Sequence, residues 1–431
     1  MSQDTWHQLN SEMDKLIDQG MESEAPKDEK MTLKAAASHA LQTPNINLPA
    51  LTDKLRSACN TLLTKRYSDQ IKRKDSKIEE SDKLYQHTLF NLMDNIPYPP
   101  RDKHDFSFID LFAGIGGFRL AFQNSGGKCV FSSEWDRFAQ QTYAVNFGEI
   151  PYGDIRKIKE EEIPDHDVLC AGFPCQPFSL AGVSKKNSLG KKHGFEDETQ
   201  GTLFFDIKRI LKQKRPKAFM LENVKNLISH DKGRTFQVIR RTLEDELGYI
   251  INWKIVDGAA WVPQHRERIF IVGYDPAKVS ITREEIYIPQ KPEAGYRRKE
   301  LHEIILEDAS DHTIGPGTWE TLKRHKAHHA KLGNGFGYGL IKFPIQEGKI
   351  TRTISARYHK DGAEILIEQP GNRPRRLTVS EAMQLQGYDP QKFIFPVSKT
   401  QAYRQIGNSV AWPAVESCAR EIARVLKERA Q

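Results

Sequence analysis

The spacing of apolar positions changes character near residue 100. Between 106 and 275 apolar side chains gather into short runs divided by stretches of helical spacing. Phe108–Phe112, Lys128–Ser132, Asp167–Ala171, Ala218–Glu222 and Arg268–Gly273 read as strands, and Phe118–Asn124 and Arg137–Asn146 as helices between them. Strands alternating with helices predict an α/β fold, a doubly wound, mostly parallel sheet covered on both faces.

Either side of this region the pattern differs. Residues 20–32 are polar and aperiodic, as in a linker. After Pro49, a helical face forms from Leu51, Leu55, Ala58 and Leu62, and the prolines of Asn95–Pro100 predict a hinge. The regular rhythm is lost from about 276 to 372, a stretch with glycine-rich Gly333–Gly339 and short β-rich runs near Ile354 and Ile365–Ile367. From Leu377 helical spacing returns, closing with Ala414–Lys427. The expected organisation is a helical N-terminal extension over 1–100, a main domain over 101–275, a smaller irregular domain over 276–372 and a closing segment over 373–431.

Composition narrows the class. No apolar run in the 431 residues approaches the ~20 needed to cross a bilayer, and Met1–Trp6 lacks the basic start of a secretory signal. A cytoplasmic protein with no membrane partner is therefore expected. The five cysteines are scattered without a CxxC pair, so neither a disulfide framework nor a zinc ribbon is indicated. His325, His328 and His329 lack a cysteine or carboxylate at ligand spacing, and no metal is expected. The net charge of +7 is uneven: residues 1–100 carry 13 basic and 15 acidic side chains (−2), leaving 51 and 42 (+9) for the rest. A basic main body suits a polyanion.

Candidate chemistry sits at strand ends. Phe108–Phe112 runs into Ala113-Gly114-Ile115-Gly116-Gly117, a turn that lets the backbone approach a nucleotide-like ligand. Glu134, after the next strand, can accept from two ribose hydroxyls, and Trp135 offers a face to a purine. Arg119 stands where the dinucleotide fingerprint needs a third glycine, which favours a nucleoside cofactor such as S-adenosylmethionine over a pyrophosphate-bearing one. Cys175 lies in Gly172-Phe173-Pro174-Cys175-Gln176-Pro177-Phe178-Ser179, past a strand's carboxyl end, where a lowered pKa would make it a nucleophile. Glu222 ends another strand, and Arg266 and Arg268 share a face of Gln264–Arg268. Each feature alone also has a structural reading: a tight turn, an inert cysteine, an ordinary strand.

Taken in order, these motifs resemble those of the DNA (cytosine-5) methyltransferases. The likeness runs from Phe108–Gly117 through Gly153-Asp154-Ile155, Gly172–Ser179, Glu222-Asn223-Val224 and Gln264–Arg268 to Gly407-Asn408-Ser409-Val410, covering roughly 106–428. Ala181–Gly190, Thr199–Asp206, Thr351–Ile367 and Arg373–Leu377 are similar to the Dcm and EcoRII methyltransferase branch. Trp412 replaces a smaller residue, which implies a repacked pocket wall.

The resemblance implies the S-adenosylmethionine-dependent methyltransferase fold, completed by residues 373–431, and a mechanism. Cys175 would add to C6 of a cytosine flipped out of the duplex. Glu222 would hold a proton at N3 and the exocyclic amine, Arg266 would contact O2, and Arg268 would support the site. Phe112, Gly114 and Gly116 would line the methionine of S-adenosyl-L-methionine, Glu134 its ribose and Trp135 its adenine. Asp154 would receive the adenine amine, with Asn408 and Val410 completing the pocket. Ser179–Gly194 would close over the DNA.

Target recognition would reside in 276–372, with Arg352, Thr353 and Arg357 reading base edges away from every residue of the chemistry. The implied partner is double-stranded DNA, met by a monomer, with CCWGG the favoured site and CCNGG or CCGG the others. A cognate restriction endonuclease sharing that site, with or without direct contact, is the second candidate partner. A tRNA cytosine-5 methyltransferase and an added transcriptional-regulator role for residues 1–100 are the competing readings.

Overall fold

The computed structural model describes residues 3–20, 33–39, 96–101, 103–174, 203–306, 309–333 and 337–430. The helix expected near 49–66, Cys175 and the loop Ser179–Gly194 lie outside them.

Six strands form the main sheet: β1 Phe106–Leu111, β2 Gly127–Ser133, β3 Val168–Gly172, β4 Ala218–Val224, β5 Ile250–Asp257 and β6 Glu267–Tyr274. Their order is β2-β1-β3-β4-β6-β5. β1 to β4 pair in parallel, and β6 runs antiparallel to both β4 and β5. The sheet is thus mostly parallel, as its apolar runs predict. β5 has no counterpart among the expected strands, because it is a half-buried edge with polar residues interleaved.

Strand residues alternate between two cores, because successive side chains leave opposite faces of a pleated sheet. Ile109, Leu169, Ala171, Phe219, Leu221, Ile269 and Ile271 meet the helix Leu203–Lys214 and its neighbours on one face. Phe108, Val168, Cys170, Met220, Phe270 and Val272 meet the helices Gly117–Asn124 and Trp412–Arg429 on the other. The last helix of the chain therefore covers the first strand, and the main domain is discontinuous in sequence.

A second sheet of order β7-β8-β9 comprises β7 Leu340–Ile341, β8 Leu366–Gln369 and β9 Asn372–Arg376. The helix Pro316–Lys331 rests on it through Leu322, against Leu366. At the start of the irregular region, Val279, Ile281, Ile286 and Ile288 pack into the core under the last helix. β9 begins at the region's expected end, Asn372, and continues to Arg376.

The N-terminal extension contributes a helix, Gln3–Gly20, and a helical turn over 33–39. Met13, Leu16, Ile17 and Ala35–Ala37 are buried in the first core. The hinge expected at Asn95–Pro100 is corrected over 96–100. Tyr98 N–H donates to Asn146 O at 2.9 Å, its ring lies against Phe147 and Phe393, and Gln123 Nε2 donates to Pro99 O at 2.7 Å. Those prolines shape a docked strap. No helix among the described residues is long and apolar enough to cross a membrane.

Candidate active site and cofactor pocket

The glycine turn is built by conformations that few residues adopt. Phe112 leaves β1 with φ 57°, Gly114 follows at 55° and Gly116 at 86°. A Cβ on Gly116 would lie 2.2 Å from the Phe147 ring, so both backbone and packing demand glycine there. The turn's Gly114 N–H donates to Glu134 Oε2 at 2.8 Å, and Asp136 N–H donates to Oε1 at 2.7 Å. Glu134 is buried, which pushes its carboxyl up, and these backbone donors work against that rise. Beside it the Trp135 ring is 74% exposed, a free apolar face.

Two further segments close on this turn. Ser133 Oγ donates to Gly153 O at 2.8 Å and Glu134 N–H to Tyr152 O at 2.8 Å, which brings Asp154 alongside. The Asp154 carboxylate is occupied by Arg156 Nε at 2.9 and 3.0 Å, and this bonding holds its pKa below the usual range. From the far end of the chain, Val410 stands where a Cβ on Gly117 would come within 2.7 Å of its Cγ2. Asn408 is exposed at the end of the helix Lys399–Asn408, and Trp412 fills space against Gly387. A backbone cradle, a bare indole and a carboxylate with lone pairs to spare fit a nucleoside with a small charged tail.

Glu222 and Arg268 pair at the ends of β4 and β6. Alternation puts both on the face of Met220 and Phe270, and Arg268 Nε lies 2.9 Å from Glu222 Oε1. Burial raises the Glu222 pKa, against the two arginines nearby. Its carboxyl lies over Gly172, where a Cβ would sit 3.4 Å from Oε2. Asn223 Nδ2 donates to Phe173 O at 2.9 Å, tying β4 to the segment that enters Cys175.

Arg266 is differently employed. Its Nη1 donates to Ile354 O at 3.1 Å and its Nη2 to Gly407 O at 3.0 Å and to Ser409 O. Burial, with Arg268 beside it, lowers its pKa to about 9. Both terminal nitrogens hold main chain, and Arg268 is the arginine beside Glu222.

Of Arg352, Thr353 and Arg357, all expected away from the chemistry, Thr353 lies against the neighbouring arm. Thr351 bridges Gln264, with His265 N–H donating to Thr351 O at 3.0 Å and Ile354 N–H to Gln264 Oε1 at 2.7 Å. Thr353 Oγ1 donates to His265 O. Its backbone therefore runs along the arm that carries Arg266 and Arg268. Arg352 is exposed with Nη1 on Gly337 O at 2.6 Å, and Arg357 is exposed before the turn Tyr358–Asp361.

A C-5 cytosine-specific DNA methylase model matches residues 106–424. The chain belongs to this family. The methylase is 49% identical over 340 residues to the Type II methyltransferase M.SsoII of Shigella sonnei, covering 78% of this chain and 85% of that protein. It is 44% identical over 404 residues to a DNA-cytosine methyltransferase of Escherichia coli K12, covering 80% and 84%. The fold is shared with the S. pombe Dnmt2 methyltransferase at TM-score 0.56 and 15% identity, over 75% of this chain and 98% of that one. The protein is thus a DNA cytosine-5 methyltransferase, and its substrate is DNA.

Sequence reasoning passed over two parts of the methylase. Asp110 is fully buried beneath the glycine turn, with Oδ2 accepting from Arg119 N–H at 3.2 Å and Oδ1 without a hydrogen bond. Its signal was a lone acid inside an apolar run. Arg119, marked only as a missing glycine, is buried in an ion pair with Glu149, with Nη2 at 3.1 Å from Oε1.

Proposed function

We propose that this methyltransferase transfers a methyl group from S-adenosylmethionine to C5 of a cytosine flipped out of a short duplex site, with Cys175 as nucleophile. The observation that carries the reading is Glu222: a buried, easily protonated carboxyl beside Arg268, lying over the segment that leads into Cys175. Cys175 thiolate adds to C6 and opens the C5–C6 double bond toward C5. Glu222 holds the proton at N3 that lets the ring accept those electrons, and Arg268 faces O2. Arg266 acts as a positioning residue. When bound, S-adenosylmethionine supplies an electrophilic methyl group. Phe112, Gly114 and Gly116 hold its methionine end, Glu134 its ribose, and Trp135 and Asp154 its adenine, with Asn408 and Val410 closing the wall. After transfer, loss of the C5 proton restores the double bond and frees Cys175.

Arg352, Thr353 and Arg357 are proposed to read the site, CCWGG with its inner cytosine modified, within a recognition region of about 276–372. The likeness to the Type II methyltransferase M.SsoII supports a role in a restriction–modification system; a cognate endonuclease as counterpart, a cytoplasmic location and a monomeric state belong to the same proposal. The decisive experiment offers the enzyme duplexes carrying 5-fluorocytosine at the inner position. A denaturation-resistant adduct should form with CCWGG and with no tRNA, and should vanish in Cys175→Ser. An active enzyme that forms none would remove C6 addition.

A further inference from the structure

The match to the methylase family begins at Phe106, yet some of the most deeply buried residues precede it. Ala35, Ala36, Ala37 and Ser38 are fully buried, and His39 is 1% exposed. What covers them includes the segment from Glu149 to Ile155, which connects the helix Arg137–Phe147 to Asp154. Ile150, Tyr152 and Ile155 share one core with Ala35–Ala37. The contact is polar as well as apolar. Ser38 Oγ accepts from Ile150 N–H at 2.9 Å. His39 Nδ1 bonds to Ala35 O at 2.9 Å, leaving Nε2 toward Glu149, 3.4 Å from Oε2. The imidazole also lies 5.6 Å from the Tyr152 ring.

Glu149 is gripped from the opposite side by Arg119, whose Nε is anchored on Gln123 Oε1 at 2.9 Å and whose Nη1 is 3.3 Å from Tyr143 OH. Arg119 belongs to the helix that starts at the glycine turn. Beyond Tyr152 the bonds enter the pocket wall directly: Tyr152 N–H donates to Ser132 O at 2.8 Å, and Tyr152 O accepts from Glu134 N–H. Between the helix cap at Gly148 and the turn that opens at Ile155, the chain has little regular structure of its own. Its position depends on what packs against it.

We propose that residues 33–39 are a positioning element of the cofactor pocket, with Ser38 and His39 fixing the Glu149–Asp154 segment so that Glu134 and Asp154 are presented to the nucleoside. This rests on the reading that Glu134 and Asp154 form the cofactor wall. It gives part of the N-terminal extension a task inside the methylase. A disturbed wall lowers affinity for the cofactor and leaves the chemistry at Glu222 untouched, since β4 lies across the sheet from this contact.

The test uses the full chain carrying Ser38→Ala, His39→Ala, both together, or His39→Gln, which keeps a polar end toward Glu149. Calorimetry with S-adenosylmethionine reads affinity and binding stoichiometry separately. The double variant should bind about tenfold more weakly, as loss of the Ser38 hydrogen bond and of the imidazole packed against Glu149 and Tyr152 implies, at unchanged stoichiometry. KM for the cofactor should rise in step while the rate at saturating cofactor falls less than twofold, and His39→Gln should recover most of the affinity. A lower stoichiometry or melting temperature with unchanged affinity would mean a role in folding alone and overturn the proposal. Glu134→Ala run in parallel separates the two readings. If it weakens binding and the Ser38 and His39 variants do not, the positioning role fails by itself. If Glu134→Ala leaves affinity intact, the cofactor wall is elsewhere and both fail.

Discussion

Asp110 and Glu222 are carboxyls placed by strand alternation on the same face of the sheet, and burial changes both. For Asp110 it pushes the pKa from 3.8 to about 8. The native state then keeps a proton that the unfolded chain releases near pH 4, so stability linked to this group is full below that point, declines as pH rises and levels off above about 8. Asp110→Asn removes the titration. Its free energy of unfolding should gain on the parent's between pH 5 and 8, with the gap widening by at most about 1.4 kcal/mol per pH unit. A gap that stays constant would mean an ionised Asp110 throughout. Glu222→Gln keeps size and loses the proton. Methyl incorporation should drop about 10²–10⁴-fold, as for loss of a general acid–base group, with cofactor affinity held. At this scale the sequence was partly legible. The spacing of Gly114 and Glu134 led to a real hydrogen bond. Two arginines at alternate positions gave no hint of which one faces the carboxylate, because the carbonyls that claim Arg266 come from Ile354, Gly407 and Ser409.

Among the elements, strands with continuous apolar runs were readable because they are buried on both faces. The edge strand β5 was not, since its polar positions blur both periodicities. Prolines near 97–100 spoke of a break in helix, and only the distant rings of Phe147 and Phe393 turn that break into a docked strap. Two backbones come very close at Gly407, where a Cβ would lie 2.3 Å from the carbonyl of Ser355. Gly407→Ala must push the helix Lys399–Asn408 off the Ser355 segment and drag two of Arg266's acceptors with it. Overpacking of this kind costs about 1–3 kcal/mol, to be read from urea unfolding, and here it should also reduce methylation of cognate DNA. Full stability in that variant would show that the two backbones are free to separate.

At the scale of the whole molecule, an excess of positive charge meets a polyanion, and sequence choice has to be separated from that attraction. Arg352→Ala and Arg357→Ala should each cost about 1–3 kcal/mol on the cognate duplex and little on a scrambled one if these side chains read bases. Phosphate contact would instead weaken both duplexes evenly and lower the salt slope by about one unit. Affinities at two salt concentrations decide between these outcomes.

The return of the final helix to the first strand also has a bearing on synthesis. Until Trp412–Arg429 leaves the ribosome, the face of the sheet made by Phe108, Cys170 and Met220 is covered only in part, by Gly117–Asn124, and Val410 is not yet beside Gly117. A nascent chain can therefore assemble most of its sheet early but cannot finish its pocket until Trp412–Arg429 has been made. A stop codon just before Trp412 should thus be as damaging as one just after β3.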